Sequence, residues 1–369
     1  RPPSQAPPGV FISGGRWLTD GRVTNGGSRA AGLLVNVRAV QGIFDDENPA
    51  TRDHWAYPSG SGSGSWSAAS VERNVSEFIG TIGDWAAAGV NAFTLSLQGG
   101  NPNADDGTGA TDGSRAEVVS AFRADGSLKP EWKDRLRRVL DETDRLGMVV
   151  ILGLFYKHQS DELRDEAAVL DATEAVLDFV WGEHDYDKVV FEVANEVTTS
   201  ASGPPGAYAH AILTMGRVHE VFAHMHSYAA SRYPDKTLYV SASIAAAFSP
   251  SSVPSSYFNG ADFILWHGNS IDMNAQHSYI DAIRQRTTKP IVWNEDNNGE
   301  RGRCPNRTTA AFDTKGTPTI GREVSWGFHW KGCNDYSRGY QAMPVNWGND
   351  GADPFKAQFL SWATAMTTP

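Results

Sequence analysis

Eight short apolar runs separated by longer stretches of helical periodicity recur along almost the whole chain, and this alternation restricts the possible folds more than any other feature. The runs are Leu33–Val40, Ala92–Leu97, Val149–Phe155, Val189–Ala194, Leu238–Ser243, Phe263–Trp266, Pro290–Trp293 and Val324–Phe328. Val71–Ala88 spaces Val71, Val75, Phe78, Ile79, Ile82, Trp85 and Ala86 by three or four residues and stops at Gly89. Glu131–Leu146 follows Pro130, carries Trp132, Leu136, Val139, Leu140 and Leu146 on one face, and stops at Gly147. Further helices are expected over Glu166–Trp181, Ala207–Arg232, Ala275–Arg286 and Pro354–Ala363, whereas the segments after strands five and seven show no clear period. Strands alternating with helices pair in parallel, and eight of them predict a single (β/α)8 TIM barrel of the α/β class. A length of 369 residues would also allow two domains, but no linker or repeat divides the chain. The expected organisation is a Pro-rich tail over residues 1–10 and a catalytic barrel over residues 11–369.

Composition narrows the function. Hydrophobic residues at 40% supply a core, and the lack of any apolar run of about 18 residues argues against a membrane span. A net charge of −11 without a Lys/Arg cluster makes nucleic acid an unexpected partner. Twelve Trp and 37 Gly suit either a loop-built cleft that stacks sugar rings or plain core filling. Cys304 and Cys333 could close a loop of about 30 residues, worth about 3–4 kcal/mol, or remain two free thiols. The start at Arg1, with neither initiator Met nor apolar signal core, is read as a mature, secreted protein, and a monomer is expected.

In a barrel of this kind, loops and carboxylates on the C-terminal face are the first candidates for chemistry. Two long loops lie there: Gln41–Ser70 after strand one, with Trp55, Tyr57 and Trp66, and Gln98–Lys129 after strand two. Strand four runs Val189-Val-Phe-Glu-Val-Ala-Asn195-Glu196, where period-two alternation makes Glu196 the last inward residue, and strand seven runs Pro290-Ile-Val-Trp-Asn-Glu295-Asp296. Glutamates at these two strand ends can face each other across the mouth, as hydrolysis of a glycosidic bond with retention requires. Glu192, one pleat below Glu196, is read as structural, with Arg38 as its partner.

Phe191-Glu-Val-Ala-Asn195-Glu196 and Pro290-Ile-Val-Trp-Asn-Glu295 resemble the strand-four and strand-seven motifs of clan A retaining glycoside hydrolases, distantly similar to the cellulase and β-mannanase family. The resemblance implies that Glu196 is the acid/base, Glu295 the nucleophile and Asn195 the donor to a sugar 2-hydroxyl. It also implies that His267 ends strand six beside the substrate and that Trp330 floors a sugar subsite. Tyr156, Trp55, Trp66 and Asn294 join the expected substrate-binding set, with Tyr57, Trp293 and Trp347 as further cleft aromatics. The chain departs from the pattern where an Arg is usual on strand two, and Arg38 on strand one is the candidate replacement. Phe155-Tyr156 replaces a strand-three His, Asn269 replaces a Tyr after His267, and Val197 replaces a Pro after Asn195-Glu196.

The sequence admits two other readings: a carbohydrate-binding barrel without catalysis, and a zinc hydrolase. His219-Glu220-Val-Phe-Ala-His224-Met-His226 looks like a zinc helix, but His219 and His224 are five apart rather than four. No metal or cofactor is expected, since the chain has no phosphate loop, G-x-S-x-G elbow or dinucleotide fingerprint. Asn74-Val-Ser76 and Asn306-Arg-Thr308 are glycan acceptor sequons if the source organism glycosylates.

Overall fold

In the computed structural model, parallel strands occupy all eight expected positions, each beside its neighbour in sequence. The structure describes residues 8–49, 58–59, 62–63, 68–99, 118–198, 207–246, 248–268, 271–296, 312–329 and 354–369. Strands one to four are Val35–Arg38, Ala92–Ser96, Val149–Phe155 and Val189–Ala194, and strands six to eight are Ile264–His267, Ile291–Asp296 and Ser325–Phe328. Strand eight pairs with strand one, Trp326 beside Val35 and Phe328 beside Val37. Strand five breaks at Ala242: Val240–Ser241 pairs with Phe191 and Glu192 of strand four, and Ser243–Ile244 pairs with Leu265 and Trp266 of strand six. The Tyr257 hydroxyl donates to the Ala242 carbonyl at 2.6 Å, satisfying a buried group at the break. These pairings join the two edges into the single TIM barrel that the sequence predicts.

The barrel interior changes in character from bottom to top. Leu34, Ala92, Val149, Ile151, Val190, Phe263, Leu265 and Val292 form a dry lower layer. Above it lie Asn36, Thr94, Glu192 and Asn294, all buried. A Cβ on Gly327 of strand eight would stand 2.1 Å from Asn36 Oδ1, so only glycine leaves room for this polar layer.

The floor comes from a segment to which sequence patterning assigned no element. Val10–Ser13, Arg16–Thr19 and Arg22–Val23 form a three-stranded antiparallel sheet that joins the lower layer through Val10 and Trp17. Trp17 is fully buried and meets Phe263 edge-on at 5.2 Å. Burial of side chains of this size typically contributes about 1.5–3 kcal/mol.

The helices follow their sequence signals, with local corrections. Ala68–Ala87 turns Val71, Val75, Phe78, Ile82 and Trp85 inward and ends before Gly89, whose φ is +91°. Pro130–Leu146 has Pro at its first position and Gly147 at φ +71° after its last. Glu166–Leu177 is capped by the Asp165 carboxylate and continues as a wider turn over Asp178–Glu183. The helix expected from Ala207 begins at Val218. The Met215 amide bonds to the Val197 carbonyl, and this tertiary bond draws the preceding backbone away from a helical path. Met273–Arg284 and Pro354–Thr367 complete the longer helices among the described residues, and the aperiodic segments after strands five and seven contain the short helices Ser255–Gly260 and Thr317–Ile320.

Candidate active site

Strict alternation along strand seven would send Asn294 inward and Glu295 outward. The strand avoids this with an extra residue: Trp266 pairs with Trp293, but the next residue, His267, pairs with Glu295. Trp293 packs outward against Trp266, Asn294 and Glu295 both turn inward, and Asp296 turns outward to Lys315 at 2.6 Å and the Trp326 ring nitrogen at 2.8 Å. The bulge re-aims the carboxylate into the mouth.

Glu196 arrives by a different route. It lies beyond the end of strand four with φ +54°, a left-handed conformation costing on the order of 1 kcal/mol for a residue with a Cβ. Ser243 holds it there: the Glu196 amide donates to Ser243 Oγ at 2.8 Å, and the Val197 amide to the Ser243 carbonyl at 3.0 Å. The left-handed turn lets consecutive Asn195 and Glu196 both reach the mouth.

Arg38 joins the two sides. Its Nε meets Glu295 Oε2 at 2.5 Å, one terminal nitrogen donates to Asn195 Oδ1 at 2.6 Å, and the other lies 3.6 Å from Glu192 Oε2. A guanidinium only donates, so the Asn195 atom it meets is the oxygen, and the amide NH2 is left for the cleft. His267 stands between the carboxylates, its Nδ1 3.0 Å from Glu196 Oε1 and 3.6 Å from Glu295 Oε2. Lys157 donates to Glu196 Oε2 at 3.3 Å, and His329 Nε2 lies 3.8 Å from Glu295 Oε1.

These charges set the protonation pattern. Burial pushes Glu196 up, but the His267 hydrogen bond and charge, helped by Lys157, outweigh it and bring Glu196 down to about 2. Burial pushes His267 down, and the charges of Glu295 and Glu196 overcome it, leaving His267 above the ordinary histidine value. Below that raised value the site holds an imidazolium beside Glu196 and Glu295.

Glu196, His267 and Glu295 each offer one potential metal-ligand atom within 4.8 Å of the others. Arg38 and Lys157 already bring fixed positive charge to these carboxylates, which opposes a divalent cation. The histidines of the suspected zinc helix do not assemble: His224 Nε2 lies 2.9 Å from Glu174 Oε1, and His226 hydrogen-bonds with Asp262 at 3.0 Å.

The structure thus brings together Glu196, Glu295, Asn195 and His267. Tyr156 is half-buried and lines a small cavity with Arg38, Glu192 and Asn195. Two expectations are corrected. Asn294 is fully buried one layer below, donating to Glu192 Oε2 at 3.1 Å, because alternation alone turns it into the barrel interior beneath the mouth. Trp293 is fully buried behind the barrel wall and is not a cleft aromatic. The expected pairing of Glu192 with Arg38 is present. Trp55, Tyr57, Trp66, Asn269, Cys304, Asn306, Cys333, Trp330 and Trp347 lie outside the described residues. The Asn74 amide is buried and donates to the Gln41 and Gly42 carbonyls, so this sequon anchors the loop after strand one. Sequence reasoning missed Lys157 and His329, although each follows a barrel strand closely.

No family model matches the chain, and no curated protein matches it. Solved structures do. A GH5-4 broad-specificity endoglucanase from Clostridium longisporum superposes with TM-score 0.53 at 11% identity, covering 94% of this chain and 99% of that one. An endo-1,4-β-mannanase from Rhizomucor miehei gives 0.52 at 12% identity, covering 86% and 89%. A β-1,4-mannanase from the sea hare Aplysia kurodai gives 0.51 at 13% identity, covering 93% and 98%. At these identities the likeness is one of fold.

Proposed function

We propose that this barrel is a retaining glycoside hydrolase acting on an oligo- or polysaccharide, with Glu295 as nucleophile and Glu196 as acid/base. The observation that carries the proposal is the approach of the two carboxylates: their oxygens come within 4.8 Å, in keeping with the separation of about 5–5.5 Å that double displacement needs. The names of the similar structures, endoglucanase and mannanase, support glycosidic cleavage.

In the first step Glu295 attacks the anomeric carbon, the bond to the departing oxygen breaks, and that oxygen takes a proton from Glu196. In the second, water attacks the same carbon, gives its proton to Glu196, and frees Glu295. The cycle needs one proton in the site, and His267, 3.0 Å from Glu196 Oε1 and raised above the ordinary histidine value, is placed to supply it. Arg38 supplies the countercharge that holds Glu295 for attack. The Asn195 amide, oriented by Arg38, is placed to donate to a sugar hydroxyl.

The test is hydrolysis of a panel of activated aryl glycosides by the wild type, Glu295→Gln and Glu196→Ala. The proposal expects loss of turnover in Glu295→Gln, and in Glu196→Ala a slow reaction that azide accelerates with formation of a glycosyl azide. Wild-type turnover that survives in both variants would overturn it, as would sugar binding without any turnover by the wild type.

A further inference from the structure

The mouth contains a cation that double displacement does not itself require. Lys157 Nζ holds Glu196 Oε2, and His267 Nδ1 holds Oε1. Because His267 also faces Glu295, it marks the side of Glu196 turned toward the nucleophile. Lys157 contacts the other carboxylate oxygen. In a retaining site the sugar being transferred lies between the two carboxylates, and the departing group extends past the acid, which places Lys157 beside the departing group.

The lysine is built into the site. Its side chain is 16% exposed, and Glu196 is its ion-pair partner among the described residues. Its carbonyl accepts from Ser160 Oγ at 3.0 Å, and the Gln159 amide closes the turn onto the Tyr156 carbonyl at 2.9 Å. Gln98 clamps the turn from strand two, accepting from the Tyr156 amide and donating to the Gln159 carbonyl, each at 3.0 Å. The ammonium group is therefore presented on a fixed support.

With a neutral departing group the ammonium group keeps Glu196 as its countercharge and so holds that carboxylate in its ionised form. One bearing a carboxylate lets Lys157 pass from Glu196 to the substrate, so the charge balance is kept while Glu196 is released to take up its proton. Resting on the assignment of Glu196 as acid/base, we propose that Lys157 is a specificity-determining residue that selects departing groups carrying a carboxylate, such as an acidic sugar next to the scissile bond. Recognition of one carboxylate by exchange is compatible with the chain's net charge of −11, which disfavours polyanions.

The experiment compares two aryl glycosides of the same sugar, one with a 4-nitrophenyl and one with a 3-carboxy-4-nitrophenyl departing group, by kcat/KM in the wild type, Lys157→Met and Lys157→Arg. The wild type should prefer the carboxylated compound by about five-fold, the upper end for a partly exposed ion pair. The preference should vanish in Lys157→Met and persist in Lys157→Arg. A wild-type ratio near one overturns the proposal without recourse to any variant, and so does an unchanged ratio in a folded Lys157→Met. If the wild type cleaves neither compound with any sugar of the panel, the glycosidase reading itself fails, and this proposal with it.

Discussion

Arg38 is the residue on which the two halves of the site depend, and replacing it with Met isolates that dependence. Methionine keeps the apolar stem but removes every donor. The Arg38 side chain is 6% exposed, and those of Glu192 and Glu295 are 2% and 12%. The substitution therefore leaves two poorly solvated carboxylates without their guanidinium, and breaking a buried pair in this way typically costs about 3–5 kcal/mol. Urea unfolding at neutral pH should show that loss as a lower midpoint at unchanged slope. Much of the penalty comes from the orphaned charge, so Glu192→Gln, destabilising in the wild type, should be nearly neutral or stabilising in Arg38→Met. A coupling of at least about 1 kcal/mol is expected for side chains in one network. Arg38→Lys should recover stability better than activity, because an ammonium cannot reach Glu295 and Asn195 in the divergent directions of the guanidinium. The reasoning fails if Arg38→Met loses less than about 1 kcal/mol, or if Glu192→Gln costs the same in both backgrounds, since a buried orphan charge cannot be so cheap.

The protonation pattern makes stability depend on pH at both ends. Glu196 is depressed, so its contribution is complete above its ordinary value of 4.5 and is lost as pH falls toward about 2. His267 is raised, so its contribution is complete below 6.5 and is lost as pH rises through the elevated value. Melting temperature against pH should show a plateau between these limits, and His267→Gln should remove the alkaline decline. Turnover should fall on the alkaline side for the same reason, as the proton available to Glu196 departs. At the opposite end of the barrel, Trp17→Ala should cost about 3–5 kcal/mol as a large buried side chain is lost. It should leave kcat unchanged below the melting transition, because Trp17 packs against the lower layer and touches none of the mouth residues.

The strands were legible because burial on both faces writes each as a nearly continuous apolar run, and the two glutamates were legible because they end such runs. Local deviations from regular geometry were not. Alternation gives no sign of the extra residue in strand seven that turns Glu295 inward, and it does not tell the mouth from the layer below, where Asn294, expected to bind substrate, is core. Glu196 was placed at the mouth by period-two counting, yet it reaches there through a left-handed turn that Ser243, 47 residues away, stabilises. Partners distant in sequence were equally invisible: Arg38 and Asn195 are 157 positions apart, and only barrel closure makes them neighbours. Residues 10–23 carry no such signal, because their strands are short and turn on Gly14 and Gly15, with an apolar content resembling a loop.

The break in strand five has a mechanical meaning. Each half of that strand is held by two residue pairs, whereas the ladder between strands three and four registers five. The barrel thus has a seam, and local opening starts most readily where the fewest pairs must part. The seam does not divide the site evenly. Glu196 is tied directly to it through Ser243, while Glu295 and Arg38 belong to the continuous wall formed by strands seven, eight and one. Breathing at Ala242 would therefore move Glu196 relative to a stationary Glu295, giving the two glutamates unequal freedom within one barrel.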